Sequence, residues 1–397
     1  MAIRKLITTS ALVLASAGSI AGEWEGTGFV GFDNRTFWEE ESFSSQQDGL
    51  ESSIRLQAEY YWRSEDGRHR FSAIGFGRYD ERDEERSHGD LREAYWGYDG
   101  DGWDATIGVR KVFWGVAESL HLVDIINQTD LVEDIDQEDK LGQPMINLNL
   151  QRDYGRFEFY LLPRFRERTF PGIEGRLRTA LAVDTENSIY ESSHGDRHTD
   201  VALRWNHYFG DIDVGAYVFD GTSREPGFLL VEDGDRLLPV YSQITQLGVD
   251  AQLTRDAWLW KFEGIRRETR EETFSAAVAG LEYTFYGVGG QYADIGVLFE
   301  YLYDGRSELS PPTVFEDDVF IGARLALNDS SDTSVLVGAV VDTKTHETFV
   351  NFEAERRFGD SVTVDLRLRA FGNTAPGEQL SAFEQDDYLQ LSLSWYY

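Results

Sequence analysis

Arginine is far commoner than lysine in this chain, at 32 residues against five. Many of these arginines stand where apolar and polar residues alternate, which places them on one face of an extended backbone. A guanidinium is permanently charged and carries a rigid fork of donors, so a row of arginines facing carboxylates would orient polar solutes and water. Cross-strand ion pairing that holds a wall together is the structural alternative. The charged residues assigned to this water-facing side are Arg55, Glu59, Arg110, Arg164, Arg166, Arg204, Arg324, Arg367 and Arg369.

A second set of side chains with potential chemistry is an acidic run. Its members are Glu133, Asp134, Asp136, Glu138 and Asp139. Clustered carboxylates attract cations and polar solutes, so this run is a candidate constriction or binding site. Runs of like charge are also commonly solvated surface, and that alternative stays open.

Histidines offer little sign of a catalytic or metal centre. His194 and His198 have loosely metal-like spacing with Asp196 and Asp200, but they fall in or beside a long polar segment. We interpret this group as structural or solvated. No nucleophile motif stands out, and cysteine is absent. We therefore predict that the protein is not an enzyme and carries no resident cofactor.

The elements that must position these side chains are strands. In residues 54–63 the apolar side chains fall on one face and the polar ones on the other, an arrangement that a helix would mix. The same alternation recurs in residues 103–110, 146–151, 200–206 and 362–369. Charge on one face of each strand excludes a dry sandwich core. A sheet with one face towards lipid and the other towards water satisfies the pattern.

Short polar or glycine-bearing connections alternate with longer, charged ones. The short connections lie at residues 64–68, 98–102, 152–155, 209–211, 254–257, 286–291, 328–333 and 358–361. The long connections lie at about residues 34–48, 80–88, 115–144, 167–197, 220–240, 267–272, 304–317, 342–346 and 372–387. We predict an all-β fold, a transmembrane antiparallel up-and-down β-barrel of about 18 strands, with short periplasmic turns and long extracellular loops. Sixteen strands is the alternative count, because segments 24–33 and 88–98 alternate weakly; a β-sandwich or a propeller is the structural rival.

The third long connection, residues 115–144, carries Leu120, Val123 and Ile126 ahead of the acidic run. An apolar loop needs a surface to pack against, and the inner wall of a barrel supplies one. We expect this loop to fold inward and narrow the lumen. A surface flap or an extracellular lid is the alternative.

The N-terminal residues predict export. Arg4 and Lys5 precede an apolar, small-residue run that ends at Ala21, so residues 1–21 are predicted to be a signal peptide. Residues 22–397 are predicted to be a single barrel domain in the cell outer membrane. Removing the signal peptide would leave 35 basic against 71 acidic side chains, which makes nucleic acid an unsuitable partner.

Acidic clusters also stand in the long connections. They would favour cations at the mouth of a pore and are candidates for binding Ca²⁺. The clusters are Asp80 to Glu85, Glu232 to Asp235 and Glu316 to Asp318.

The C-terminal segment alternates up to the final residue. Its outward set is Leu389, Leu391, Leu393, Trp395 and Tyr397. This segment resembles the terminal recognition strand of outer-membrane barrels, although Phe is commoner there than Tyr at the last position. The resemblance implies that the barrel-assembly machinery is a partner.

Over almost the whole mature chain the sequence resembles the Gram-negative outer-membrane porin superfamily. The passage from Val109 through Trp114 to Asp130 is similar to the strand and following loop of substrate-selective and alginate-export-like barrels. The resemblance implies passive diffusion of ions or small polar solutes, and the acidic loops favour cations. It also implies contact with outer-membrane lipid and lipopolysaccharide, and a homotrimer. A barrel component of a lipid or hydrophobic-solute transport system, and a structural or adhesive barrel, are the alternatives.

Overall fold

The computed structural model describes residues 22–231, 234–290, 292–375 and 377–397. The predicted signal peptide, and Glu232 and Asp233 of one acidic cluster, lie outside the described residues. None of the helical segments in the described part has the length and apolar character needed to cross a membrane. Short 3₁₀ segments lie at Thr185–Asn187, Gly195–Arg197, Val288–Gly290 and Gln379–Phe383. The strands of the described ranges are β1 (Gly22–Phe37), β2 (Leu50–Ser64), β3 (His69–Asp80), β4 (Gly89–Gly100), β5 (Trp103–Arg110), β6 (Gln143–Arg152), β7 (Gly155–Leu162), β8 (Ala182–Val183), β9 (Ile189–Tyr190), β10 (Asp200–Phe209), β11 (Ile212–Thr222), β12 (Gly227–Leu230), β13 (Arg236–Tyr241), β14 (Gln243–Arg255), β15 (Trp258–Glu268), β16 (Thr273–Phe285), β17 (Asp294–Asp304), β18 (Asp317–Ala326), β19 (Ser334–Asp342), β20 (Thr348–Phe358), β21 (Val362–Gly372) and β22 (Tyr388–Tyr396).

Eighteen of these strands form one antiparallel sheet that closes on itself. β1 pairs with β2 on one side and with β22 on the other, where Phe29 lies opposite Tyr396 and Phe37 opposite Tyr388. Closure leaves the sheet without an edge, so every strand finds hydrogen-bond partners on both sides. The predicted all-β transmembrane barrel is confirmed, with 18 strands rather than the alternative of sixteen.

The remaining four strands form a small sheet that is separate from the barrel wall. β13 pairs with β12, β8 and β9. These strands belong to the connections 163–199 and 223–242, so β7 pairs directly with β10 and β11 with β14. Two long connections are thereby joined to each other.

The two ends of the barrel differ in the length of their connections. At one end, which we call the short-turn end, β4 joins β5 through residues 101–102 and β6 joins β7 through residues 153–154. At the opposite, long-loop end, β5 joins β6 through residues 111–142 and β7 joins β10 through residues 163–199. The predicted alternation of short turns and long loops is confirmed.

The side-chain alternation of the wall is clear on β22. Leu391, Leu393 and Trp395 are exposed on the outside of the isolated barrel, whereas Gln390 and Ser392 are buried on the inside. Polar side chains therefore face the lumen and apolar ones face outward, as a strand between water and lipid requires.

Candidate functional site

The connection between β5 and β6, residues 111–142, builds the site, and we call it the third loop. Its apolar half packs against the inner wall of the barrel. Val123 and Ile126 are fully buried in one cluster with Tyr217 and Phe219 of β11, while Ala117 joins a second cluster on β16 to β19. Burying a large apolar side chain stabilises a structure by about 1.5–3 kcal/mol. The third loop is therefore held inside the barrel by several contacts of this size.

Two carboxylates of the wall bind the backbone of the third loop. Glu263 of β15 accepts hydrogen bonds from the N–H groups of Val116 at 2.7 Å and Ala117 at 2.9 Å. Glu300 of β17 accepts from the N–H of Ser119 at 2.8 Å. Hydrogen bonds to ionised acceptors are the stronger kind, and Glu263 and Glu300 thus fix the path of residues 116–119.

The acidic run at the other end of the third loop meets arginines of the wall. Glu133 binds Arg78 of β3, with Oε1 at 2.8 Å from Nε. Asp134 binds Arg367 at 2.8 Å and Arg369 at 3.2 Å, both on β21. Burial alone would raise the pKa of Glu133, but the charge of Arg78 outweighs burial and lowers this pKa to about 2. These two carboxylates are therefore charged members of an ion-pair network between the third loop and the wall.

The rest of the acidic run is bound differently. Asp136 lies 3.0 Å from Arg369, and Glu138 lies 3.8 Å from His121. Asp139 has no ion-pair partner among the described residues, and burial raises its pKa. The run thus combines paired charges with a half-buried carboxyl, Asp139, that has no ion-pair partner among the described residues.

A polar cavity of about 210 Å³ remains between the acidic run and the wall. Its lining carries charges of both signs, because arginines and a lysine come from β2, β3, β4, β21 and the start of the third loop, and carboxylates come from the loop and from β21. Charged groups of both signs around one polar cavity offer a polar solute partners that orient it. The charged residues of the lining are Arg55, Arg78, Arg92, Lys111, Arg367, Glu133, Asp139 and Asp365.

Most residues assigned from the sequence to the water-facing side lie on barrel strands. Arg55 pairs with Asp33 of β1 at 2.7 Å, and Glu59 accepts a hydrogen bond from Tyr61 at 2.8 Å on the same strand. Arg110, the last residue of β5, stacks over Tyr95 with its guanidinium carbon 5.2 Å from the ring centroid.

Two further predicted arginines contact the third loop. Arg204 pairs with Asp250 at 2.8 Å and stacks over Trp114 of the loop. Arg324 pairs with Glu118 of the loop at 2.6 Å. Arg204 and Arg324 therefore each form a structural ion pair and also lie close to the lumen.

Arg164 and Arg166 require a correction, because they do not lie on a strand. β7 ends at Leu162, and Pro163 follows, which lacks the N–H that would continue the ladder. Both arginines lie in the connection 163–199, where Arg164 pairs with Asp196 at 2.8 Å and is 65% exposed. Together with the outward-facing Leu91 they line a groove of about 790 Å³. Strand alternation had assigned them to the lumen.

Several site residues were not singled out from the sequence. Arg78 could have been found, since it alternates with the exposed Tyr79 on β3. Arg92 could not have been found in this way, because it lies at a β-bulge. Gly75 pairs with Leu91 and Ile74 pairs with Glu93, so the pairing skips Arg92. The roles of Glu263 and Glu300 depend on backbone groups of a loop far away in sequence.

The described residues contain one group with metal-ligand geometry, His88, Asp130 and Glu133, whose ligand atoms lie within 4.8 Å of one another. The oxygens of this group already accept hydrogen bonds from Arg92 at 2.9 Å and Arg78 at 2.8 Å. Two guanidinium groups at these distances disfavour a metal cation. We interpret the group as part of the ion-pair network.

No protein-family model matches the sequence, and no curated protein matches it. Among solved structures, OccAB1 of Acinetobacter baumannii is 8% identical, with 96% of this chain and 98% of that chain covered and a TM-score of 0.56. OmpT of Vibrio cholerae, an outer membrane protein in a trimer form, is 10% identical, with 95% and 100% covered and a TM-score of 0.47. A mutant of the Rh. blastica porin is 11% identical, with 94% and 100% covered and a TM-score of 0.45. The closed barrel and the likeness to OccAB1 establish the fold, an 18-strand antiparallel β-barrel like that of OccAB1.

Proposed function

We propose that this protein is an outer-membrane channel through which ions and small polar solutes diffuse passively, constricted by the inward-folded third loop. The observation that carries the proposal is the polar cavity between the third loop and the wall, which is lined by charged side chains of both signs. A cavity lined in this way offers water and polar solutes hydrogen bonds that an apolar cargo could not use. No catalytic role is assigned to any side chain of the site.

A preference for cations is part of the proposal. The chain carries a net charge of −34, and acidic clusters such as Asp80 to Glu85 lie in connections at the long-loop end. Negative charge at a mouth raises the local concentration of cations and repels anions. The constriction itself contains both signs of charge, so the preference is assigned to the mouth.

The test is single-channel conductance and reversal potential of the refolded barrel in planar bilayers under a salt gradient, with and without residues 116–140. We expect stable conductance that rises on deletion, because the loop occupies part of the lumen. Glu263→Gln and Glu300→Gln in the full chain weaken the contacts between the wall and the third loop without shortening the loop. These variants are the matched control for the position of the third loop. Silence in both the full chain and the deletion variant would instead favour a lipid or hydrophobic-solute transport component, or a structural or adhesive barrel.

The setting of the channel is proposed with it. We infer that residues 1–21 direct export in a Gram-negative cell and that the barrel-assembly machinery recognises β22. We also infer that lipopolysaccharide surrounds the long-loop end. Exposed apolar side chains around the wall, such as Ile54, Leu247 and Phe299, support the lipid contact. A homotrimer is the proposed assembly, to be tested by light scattering in detergent.

A further inference from the structure

The first part of the connection between β7 and β10 crosses the lumen at the long-loop end. Leu177 of this connection packs in an apolar cluster with Phe37 of β1 and Tyr388 of β22. The hydroxyl of Tyr388 donates to Asp134 of the third loop at 3.3 Å, so the cluster faces the inside of the barrel. Six strands, β1 to β6, separate β7 from β22 along the wall. Residues 163–178, which we call the strap, therefore cross the lumen from one part of the wall to another.

A buried ion pair holds the far end of the strap. Arg176 binds Asp386 in the connection between β21 and β22, with Nε 2.6 Å from Oδ1, and the two side chains are 1% and 0% exposed. The guanidinium carbon of Arg176 also lies 4.7 Å from the ring centroid of Phe37. Removing one partner of a buried ion pair is strongly destabilising, because the other charge stays buried without compensation. This ion pair therefore decides whether the far end of the strap stays docked.

The middle of the strap rests on two other loops through polar contacts. Thr169 Oγ1 donates to Asp130 of the third loop at 2.8 Å, and the N–H of Gly172 donates to Asp83 in the connection between β3 and β4 at 3.1 Å. Asp83 is 2% exposed and forms no ion pair among the described residues. Burying a carboxylate without a cation is unfavourable. Docking of the middle therefore has a free-energy cost that the contacts at the far end must offset.

The strap lies between the long-loop mouth and the polar cavity of the constriction. On β1, the strap contacts Phe37 at the long-loop end of the strand, whereas the cavity is lined by Phe29, which lies nearer the short-turn end. Within the described ranges, the cavity lining comes from the wall and the third loop and includes no residue of the strap. A solute that enters from the long-loop side therefore reaches the strap before it reaches the cavity.

We propose that the strap is a gate that restricts passage from the long-loop mouth to the cavity when it is docked and opens when its far end leaves Asp386. This inference rests on the proposed channel function. The near end of the strap is the hinge, because Phe165 stacks against Tyr241 with ring centroids 4.8 Å apart, and the N–H of Arg168 donates to the Tyr241 hydroxyl at 3.1 Å. The far end moves, because its docking depends on one ion pair and on the cluster around Leu177.

The first test locks the strap with a disulfide, in a chain that contains no cysteine of its own. A Cβ atom at Gly175 would lie 3.1 Å from the carboxyl carbon of Asp83, so cysteines at both positions are within disulfide reach. In planar bilayers, the oxidised variant Asp83→Cys/Gly175→Cys should conduct at least about twofold less than the same variant after reduction with dithiothreitol. The single variant Asp83→Cys is the matched control, and reduction should leave its conductance unchanged.

The second test releases the strap and measures its docking without conductance. The N–H of Gln47 donates to the carbonyl of Glu174 in the strap at 2.8 Å, so amide hydrogen exchange at Gln47 reports on docking. Arg176→Gln and Asp386→Asn should each accelerate this exchange at least about tenfold, and each should raise the conductance. Combining them should add little, because both changes break the same contact. Arg164→Gln is the control, since Arg164 pairs with Asp196 near the start of the strap.

Two results would overturn the gate while leaving the channel proposal in place. One is equal conductance of the oxidised and the reduced Asp83→Cys/Gly175→Cys variant. The other is unchanged exchange at Gln47 in Arg176→Gln and Asp386→Asn, in a barrel that conducts. If no form conducts, including the variant without residues 116–140, the channel proposal fails and the gate fails with it.

Discussion

Two arginines of β21 bind the same loop carboxylate, Asp134, but differ in exposure. The Arg367 side chain is 35% exposed and lines the cavity, whereas the Arg369 side chain is fully buried. We expect Arg367→Gln to shift the reversal potential towards cations, because it removes a positive charge from the cavity, and to leave the unfolding midpoint near that of the wild type. Bilayer recordings under a KCl gradient measure the shift. An unchanged reversal potential would remove Arg367 from the conducting path.

Arg369→Gln should act on stability. Arg369 binds Asp134, Asp136 and Glu353, and removing one partner of a buried ion pair destabilises by about 3–5 kcal/mol. The denaturant midpoint should fall accordingly. Arg356→Gln is the control, because Arg356 is half-exposed at the short-turn end and pairs only with Asp329 among the described residues. Equal losses of stability in these two variants would contradict a buried network.

His121 gives the third loop a pH dependence. It lies between Glu138 and Glu263, with N–O distances of 3.8 and 3.9 Å. Burial alone would lower the pKa of His121, but the two nearby carboxylates outweigh burial and raise the pKa to about 9. A raised pKa in the folded state means that protonated His121 stabilises the fold. This stabilisation is complete below the unfolded pKa of about 6.5 and is lost as the pH rises through about 9.

The expected result is a pH-dependent difference between wild type and His121→Gln. The free energy of unfolding should differ most near pH 6 and converge near pH 10, as measured by denaturant titrations across that range. A difference that stays constant from pH 6 to pH 10 would show that folding does not raise the pKa of His121. His207→Gln is the control, since His207 forms no ion pair among the described residues.

At the level of single residues, the sequence predicted the face of the strand on which a side chain lies better than it predicted the residue which that side chain contacts. Alternation alone assigned Arg55, Arg204 and Arg367 to the water-facing side, because parity on a strand is a local property. The binding of Asp134 to Arg367 joins positions 233 residues apart, so no local pattern could predict it. The assignment of Arg164 to a strand was wrong, because Pro163 ends the strand before Arg164.

The third loop is the element whose docking decides the shape of the lumen. We expect Glu263→Gln to loosen its start, because a charged acceptor of backbone N–H groups becomes a neutral one, at a cost of about 1.5–3 kcal/mol. Amide hydrogen exchange at Val116 and Ala117 should accelerate by roughly tenfold to a hundredfold. Glu282→Gln on β16 is the control, since Glu282 faces Arg324 at 3.8 Å rather than the loop. Equal exchange rates in the two variants would contradict an anchoring role for Glu263.

The predictability of each strand depended on what covers its two faces. β22 and β21 alternate cleanly because one face meets lipid and the other meets water or charge. β11 and β16 alternate less cleanly, because their inward Phe219 and Val278 are covered by the apolar half of the third loop. A strand with two apolar faces loses the period of two. The alternation of apolar and polar residues in β4 was weak for another reason, because the β-bulge shifts the face to which successive side chains point.

For the whole molecule, closure was the most predictable property. Short and long connections must alternate in an up-and-down barrel, and this alternation needs no knowledge of contacts between distant residues. The interior was less predictable, because the position of the third loop depends on apolar positions spread over β6 to β19. The small sheet of β8, β9, β12 and β13 joins two loops and leaves no alternating signal of its own.

Net charge gives a prediction at the same scale. The preference for cations is assigned to acidic residues at the long-loop mouth, of which Glu81, Glu84 and Glu85 are exposed. Salt screens exposed charges over about 10 Å at 0.1 M and about 3 Å at 1 M, whereas buried pairs are screened much less. We therefore expect the cation preference, measured from reversal potentials under equal salt ratios, to fall steeply between 0.1 M and 1 M mean salt.

A variant with Glu81→Gln, Glu84→Gln and Glu85→Gln should show a smaller cation preference at 0.1 M and little change from the wild type at 1 M. Arg367→Gln should behave in the opposite way, with a shift that persists at 1 M, because Arg367 acts inside the constriction rather than at the mouth. If the wild-type preference is the same at both salt concentrations, the charges that select ions lie in the lumen, and the acidic mouth has no part in selection.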